Sequence, residues 1–132
     1  MADTKTILFV DDNPVDRTLI SRLLAKYDFN VLLAEDGPVG LRMSLENKLD
    51  LILLDILLPG ISGIELCKKF KKNPVTENIP VIFYTSIDTP KELIDYASYG
   101  AKDYIQKTTP PEELVASIRA VLQEKEEAPP LL

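Results

Sequence analysis

The sequence predicts an α/β protein: a three-layer sandwich in which five helices cover a five-stranded parallel sheet of order 2-1-3-4-5, with the first strand central. Two observations favour this class. Short apolar runs alternate with helix-like segments along the chain, which gives five successive strand-helix units. The runs are apolar at nearly every position, as in residues 51–54, which is typical of strands buried on both faces. A chain of 132 residues suffices for one such domain.

The elements follow in order along the chain. The predicted strands are Thr6–Val10, Val31–Ala34, Leu51–Asp55, Val81–Thr85 and Asp103–Gln106. The predicted helices are Pro14–Lys26, Val39–Asn47, Gly63–Phe70, Lys91–Tyr99 and Pro111–Glu124. Each helix period connects two strand periods, as a parallel sheet requires.

Several helix boundaries carry specific signals. Asn13 supplies an N-cap for the first helix, a proline follows it, and Asp16 places an acid near the positive end of the helix dipole. Thr89 and Thr109 each begin a capping box with proline at the first helical position, for the fourth and fifth helices. Gly100 then ends the fourth helix.

Two helices show apolar residues at three-four spacing, which predicts faces that pack on the sheet. These residues are Val15, Leu19, Leu23 and Leu24 in the first helix, and Leu114, Val115, Ile118, Val121 and Leu122 in the last. Both stripes are assigned to the core and not to a ligand site.

Composition excludes several classes of protein. A net charge of −6 and a pI near 4.7 oppose direct binding to nucleic acid. Cys67 is the single cysteine and histidine is absent, which excludes an internal disulfide and an ordinary zinc site. Residues 1–6 lack the apolar stretch of a secretory signal, and no run approaches the roughly 18 apolar residues of a membrane span. We expect a soluble, cytoplasmic protein without direct membrane contact.

Residues 1–125 are expected to form the domain. Residues 126–132 follow a charged stretch and are interrupted by two prolines, so they are expected to form a flexible tail or the start of a linker.

Polar residues follow four of the predicted strands. Asp11 and Asp12 come after the first strand, Asp55 ends the third, Thr85 ends the fourth and Lys107 follows the fifth. In open parallel sheets, ligands bind at the carboxyl ends of the strands. Close carboxylates repel by about 4 kcal/mol per pair at an effective dielectric constant of about 20, so three of them favour a divalent cation such as Mg²⁺. A hydroxyl and an ammonium beside that cation suit a phosphoryl group.

These motifs resemble the receiver domain of bacterial two-component response regulators, whose fold is flavodoxin-like. The resemblance extends from about Lys5 to Lys125 and is carried by FVDDNP, LLDILLPGISG, PVIFYTS and GAKDYIQK. It implies a phosphoryl-accepting signalling module that catalyses only its own phosphorylation and dephosphorylation. It also implies that a histidine kinase or a histidine phosphotransfer protein donates the phosphoryl group.

The resemblance assigns the acidic residues to metal binding and catalysis. Asp55 is implied as the phosphoacceptor and as a Mg²⁺ ligand. Asp12 is implied to ligate Mg²⁺ directly and Asp11 through water, while the backbone carbonyl of Leu57 supplies a further ligand.

The resemblance assigns the remaining residues to a switch. Thr85 and Lys107 are implied to hold the phosphoryl oxygens, and Tyr104 is the switch aromatic that follows Thr85. A downstream effector protein is then expected to bind the face formed by the fourth helix, the fifth strand and the fifth helix. Tyr96 and Tyr99 are expected to add an exposed aromatic patch to that face.

Two positions are expected to set the lifetime of the phosphorylated state. In receivers, the side chains two residues beyond the phosphoacceptor and two beyond the hydroxyl flank the path of the hydrolytic water. Here they are Leu57 and Ile87, which can neither accept nor donate a hydrogen bond. We therefore expect slow hydrolysis.

One departure concerns the loop after Lys107. The family usually has a proline there in a cis bond, whereas this chain has Thr108. A non-proline cis bond costs about 2.5–4 kcal/mol, so either the bond is trans in a rearranged loop or strain is stored there.

Other functions remain open at this point. The sequence is equally consistent with a receiver domain that forms part of a larger response regulator or hybrid kinase. A magnesium-dependent phosphatase that forms an aspartyl-phosphate is less favoured, because its Asp-x-Asp-x-Thr motif is missing after the first strand. A flavin-binding electron carrier is disfavoured because Asp11 and Asp12 would repel the flavin phosphate.

Overall fold

The computed structural model describes residues 4–127, and within them five strands form one parallel sheet. The strands are β1 (Thr6–Val10), β2 (Asn30–Ala34), β3 (Leu51–Leu54), β4 (Val81–Thr85) and β5 (Asp103–Gln106). Their order in the sheet is β2-β1-β3-β4-β5, with every neighbouring pair parallel. The predicted fold class and strand order are confirmed.

Four α-helices lie within the described residues: α1 (Pro14–Lys26), α2 (Gly37–Glu46), α3 (Gly63–Lys72) and α4 (Pro111–Glu127). Asn13 caps α1 as predicted, since its Oδ1 accepts the backbone N–H groups of Val15 and Asp16. The last helix runs three residues beyond its predicted end and includes the first two residues of the predicted tail. The remainder of that tail, residues 128–132, lies outside the described residues.

The prediction of a regular fourth helix at Lys91–Tyr99 is wrong. Two short 3₁₀ turns, Lys91–Leu93 and Ala97–Tyr99, occupy this segment instead. Pro90 occupies the N-cap position of the first turn, where no side chain caps the backbone. Ile94 is extended between the two turns, with φ −98° and ψ 120°. Ile94 and Tyr96, two residues apart, both pack against the core, whereas a helix would point them to different faces.

The predicted aromatic patch also differs from the structure. Tyr96 and Tyr99 are half-buried and pack against the core, because the irregular segment turns both rings inward. Gly100 does end the segment, with the left-handed φ of 92° that favours glycine.

The core lies on both faces of the sheet, because alternate residues of each strand point to opposite sides. Residues Leu8, Val10, Leu54 and Phe83 face α2 and α3 together with Leu66 and Phe70 of α3. Residues Ile7, Phe9, Leu53 and Ile82 face α1 and α4 together with the buried stripe Leu114, Val115, Ile118, Val121 and Leu122, which is confirmed as core. No helix within residues 4–127 is long and apolar enough to cross a membrane.

The predicted core stripe of α1 is wrong in part. Val15 and Leu19 are 62% and 58% exposed, whereas Ile20 and Leu24 are buried. Both sets have the four-residue spacing of a helix face, so the spacing did not determine which one faces the sheet. The inward face begins with Asp16, one turn before Ile20, and so directs an acidic residue toward the sheet.

Candidate functional site

The carboxyl ends of β1, β3, β4 and β5 bring together the polar residues that the sequence singled out. Asp11 follows β1 and donates its N–H to the carbonyl of Ala34, while Asp55 follows β3 and donates its N–H to the carbonyl of Val10, both at 3.0 Å. These bonds continue the sheet and fix the two backbones side by side. Lys107 is held in the same way, with its N–H 2.8 Å from the carbonyl of Thr85.

Three carboxylates form a group that fits a metal ion. Asp11, Asp12 and Asp55 each offer one oxygen, and these oxygens lie within 4.8 Å of one another. Asp11 is fully buried and Asp55 is 3% exposed, whereas Asp12 faces solvent. Carboxylate oxygens at this spacing are the ligands that hard divalent cations prefer.

Asp11 supplies a direct test of that fit. Its Oδ1 accepts the Asn13 N–H at 2.9 Å, but no hydrogen bond reaches the buried Oδ2 within the described residues. Its partner there is ionic, the Lys107 ammonium at 2.7 Å. Burial raises the pKa of the Asp11 carboxyl above its ordinary value, although Lys107 and the Asn13 N–H act in the opposite direction. A cation beside this oxygen would compensate a buried charge.

A glycine allows the helix after Asp55 to begin close to the site. A Cβ at Gly63 would lie only 2.1 Å from the carbonyl oxygen of Asp55. The Gly63 N–H also donates to the carbonyl of Ile56 at 2.8 Å. Any side chain here would therefore displace the backbone of the candidate phosphoacceptor.

Lys107 is the common partner of three carboxylates. Its Nζ lies 2.7 Å from Asp11 Oδ2, 2.7 Å from Asp16 Oδ2 and 3.1 Å from Asp55 Oδ2. Burial alone would lower the pKa of Lys107, but these carboxylates raise it above its ordinary value. Sequence reasoning assigned Asp16 only to the helix dipole and missed its contact with Lys107. The four-residue spacing from Asp16 to Ile20 and Leu24 gave no decisive signal, because Val15 and Leu19 have the same spacing on another face of α1.

Thr85 and Tyr104 are both buried on neighbouring strands. The Thr85 Oγ1 accepts the Ile87 N–H at 3.5 Å, and the Tyr104 hydroxyl donates to the Ile87 carbonyl at 3.4 Å. Gln106, which the sequence did not single out, donates from Nε2 to the carbonyls of Ile87 at 3.0 Å and Thr89 at 3.3 Å. Residues 87–89 are thus tied to β5 by two side chains.

The two positions expected to control hydrolysis differ in exposure. Leu57 is exposed and its N–H donates to Asp55 Oδ1 at 3.1 Å, while Ile87 is half-buried against the core. The bond between Lys107 and Thr108 is trans, as is every peptide bond within residues 4–127. Of the two alternatives for this bond, the structure therefore has the trans one.

Comparisons with known proteins agree on one family. A model described as the response regulator receiver domain matches residues 7–119. The phosphate regulon transcriptional regulatory protein PhoB of Pseudomonas aeruginosa is 41% identical over 119 residues, which cover 90% of this chain and 52% of PhoB. Protein PilH of the same organism is 35% identical, with 88% of this chain and 96% of PilH covered. The chain therefore spans about half of PhoB and nearly all of PilH.

A solved structure gives the same result. It is the receiver domain of a sensor histidine kinase from Pseudomonas aeruginosa PAO1, with a magnesium ion coordinated in its active site cleft. It is 26% identical, with a TM-score of 0.82, and the match covers 92% of this chain and 99% of that domain.

Proposed function

This chain belongs to the response regulator receiver family, and on that premise we propose that Asp55 accepts a phosphoryl group from a histidine kinase or a histidine phosphotransfer protein. The observation that carries the proposal is the position of Asp55. Its carboxylate is almost fully buried, lies at the carboxyl edge of the sheet, and has the Lys107 ammonium 3.1 Å from Oδ2.

The chemistry follows from these neighbours. A carboxylate oxygen of Asp55 attacks phosphorus, the bond from phosphorus to the donor's imidazole nitrogen breaks, and that nitrogen keeps the electron pair. An ionised carboxylate carries no proton to be removed, so the absence of histidine from the chain is no obstacle. Lys107 donates to a phosphoryl oxygen and the Thr85 hydroxyl to another, which neutralises charge as it develops.

Asp12, Asp55 and the backbone carbonyl of Leu57 would hold Mg²⁺ directly, and Asp11 would hold it through water. Their oxygens fit this hard cation by type and spacing. Bound there, Mg²⁺ would supply positive charge to the phosphoryl oxygens and offset the repulsion among the carboxylates. The related receiver with magnesium in its active site cleft supports this assignment.

Signalling would then depend on protein contacts. Receivers of response regulators interact with histidine kinases and effector proteins, and we assign effector binding here to the face formed by residues 91–99, β5 and α4. Tyr104 and Gln106 connect β5 to the segment after Thr85, so a change at Thr85 would reach this face. We expect no enzymatic activity beyond the chain's own phosphorylation and dephosphorylation. The alternative of a receiver from a larger regulator or hybrid kinase keeps the same site, and a match over half of PhoB is compatible with it.

The main experiment uses intact mass. The protein is incubated with MgCl₂ and acetyl phosphate, and we expect one added phosphoryl group that Asp55→Asn abolishes and excess chelator suppresses. Asp28→Asn is a suitable control, since Asp28 is exposed beyond the far end of α1 in a left-handed conformation that asparagine also adopts. An adduct that persists in Asp55→Asn would refute the assignment.

A further inference from the structure

We propose that Asp16 is a positioning residue for Lys107 that lowers the affinity of the site for a phosphoryl group on Asp55. The inference rests on the proposed function. The Asp16 carboxylate lies 2.7 Å from the Lys107 ammonium, closer than Asp55 at 3.1 Å. The lysine assigned to the phosphoryl group is thus bound to an additional carboxylate.

The first turn of α1 holds Asp16 in place. Its own N–H donates to the N-cap Asn13 at 3.2 Å, and its side chain lies on the face that buries Ile20 and Leu24. The next residue, Arg17, donates from Nη1 to the backbone carbonyl of Asp11 at 2.7 Å. Two consecutive residues of α1 therefore contact the site, which fixes this turn relative to β1.

The number of hydrogens on Lys107 sets up a competition. An ammonium has three hydrogens. Nζ of Lys107 donates hydrogen bonds to Asp16 at 2.7 Å and to Asp55 at 3.1 Å, and the Asp11 oxygen lies 2.7 Å away as an ionic partner. A phosphoryl oxygen needs one of these hydrogens. The Asp55 contact is the longest of the three, so a phosphoryl group on Asp55 takes that position while Asp16 continues to neutralise part of the lysine charge.

Asp16 differs from the other two partners of Lys107 in one respect. Asp11 and Asp55 belong to the three-carboxylate group that fits a divalent cation, and Asp16 is not a member of it. A cation at that group would reduce the charge of Asp11 and Asp55 but leave Asp16 as the stronger partner of the lysine. Asp16 also adds a negative charge that repels a phosphoryl group. Both effects weaken phosphoryl binding.

The test separates the charge of Asp16 from its shape. Asparagine keeps an oxygen that accepts from Lys107 but removes the charge, and glutamate restores the charge. Beryllofluoride, a phosphoryl mimic, is titrated in saturating MgCl₂ and binding is followed by the amide signals of Thr85 and Tyr104. We expect Asp16→Asn to bind about threefold to tenfold more tightly than wild type, and Asp16→Glu to bind about as wild type does.

Glu65→Gln is the matched control. Glu65 occupies the third position of α3, as Asp16 does in α1, and it pairs with Lys68 at the surface. We expect the Glu65→Gln variant to bind beryllofluoride with the same affinity as wild type. The ¹⁵Nζ ammonium signal of Lys107 supplies a second readout, which should shift in Asp16→Asn and stay unchanged in Glu65→Gln.

The outcomes are distinct. If wild-type protein fails to bind beryllofluoride, the proposed function itself fails. If wild type binds and Asp16→Asn binds equally or more weakly, the role of Asp16 is refuted. An equal gain in Glu65→Gln would also refute it, because the effect would then come from net charge.

Discussion

Asp11 and Asp12 are adjacent in the chain but have different surroundings. Asp11 is buried against Lys107 and the Asn13 N–H, whereas Asp12 is exposed and has its carboxylate available to a cation. We expect Asp12→Ala to weaken Mg²⁺ binding by about tenfold or more, and Asp11→Ala to weaken it less, because Asp11 acts through water in our assignment. Calorimetric titration with MgCl₂ measures both, with Asp28→Asn as control. Equal losses would contradict this division of roles.

The side chains of Leu57 and Ile87 carry a prediction about lifetime. Neither can orient a water molecule, so phospho-Asp55 should hydrolyse slowly in the wild-type protein. We expect the double variant Leu57→Asn, Ile87→Glu to lose its phosphoryl group faster, by about tenfold or more. Intact mass is recorded at intervals after the donor is removed. The control is the double variant Leu57→Val, Ile87→Leu, which keeps both side chains aliphatic and should leave the hydrolysis rate unchanged. If the polar variant loses its phosphoryl group no faster than wild type, these two side chains do not control the lifetime.

At the scale of elements, Asp103 joins β5 to its neighbours. Its carboxylate pairs with Lys91 and accepts hydrogen bonds from Ser117 of α4 and from the N–H of Tyr104. Burial would raise the pKa of Asp103, but these partners together lower it below its ordinary value of 3.8. The folded state therefore favours the ionised form. The stability from this group is present above the unfolded pKa and is lost as pH falls through the lower folded pKa.

This linkage gives a measurable pH dependence. We expect Asp103→Asn to lower the free energy of unfolding by about 1–2 kcal/mol at pH 7. The ion pair with Lys91 contributes little to this loss, because Lys91 is exposed and solvent screens its charge. The difference from wild type should shrink as the pH falls below 3.8 and through the lower folded pKa, because the wild-type carboxyl then protonates. Urea unfolding followed by circular dichroism measures both values. The control is Asp95→Asn, because Asp95 is an exposed acid in the irregular segment that also contains Lys91. If the loss in Asp103→Asn stays constant with pH, the expectation is contradicted.

The segment between β4 and β5 explains where element prediction failed. Thr89, Pro90 and Glu92 have the spacing of a helix start, and Gly100 is a suitable end. Local signals cannot report that Ile94 and Tyr96 both pack inward, which requires an extended residue between two turns. Tertiary packing overrode helix propensity in this segment. The prediction that Val15 and Leu19 face the core was wrong for a related reason, because two faces of α1 have the same apolar spacing.

At the scale of the whole molecule, few residues connect the site to the face that we assign to effector binding. We expect beryllofluoride in MgCl₂ to shift amide signals of Asp55, Thr85 and Tyr104, and then those of residues 91–99. The reason is that Tyr104 and Gln106 bind the carbonyls of the segment after Thr85. Asp55→Asn under identical conditions is the control. Shifts confined to the metal ligands would contradict the coupling.

The sheet was largely predictable because its strands are buried on both faces and leave an unbroken apolar signal, as at residues 51–54. The predicted strand order then places Asp11, Asp55, Thr85 and Lys107 at one edge of the sheet. Asp16 and Gln106 were not predictable as part of the site. Each contacts it through a side chain whose direction depends on how α1 or β5 is rotated, and a single sequence does not contain that rotation.

The Ile87 carbonyl accepts from two donors, the Tyr104 hydroxyl at 3.4 Å and the Gln106 amide at 3.0 Å. A buried carbonyl left with no donor costs about 1–3 kcal/mol. Because Gln106 makes the shorter bond, an outward rotation of Tyr104 would leave this carbonyl satisfied and avoid that cost. Gln106 therefore lowers the free-energy cost that an outward rotation of Tyr104 would carry, and the packing of the ring is the main interaction that holds the tyrosine inward.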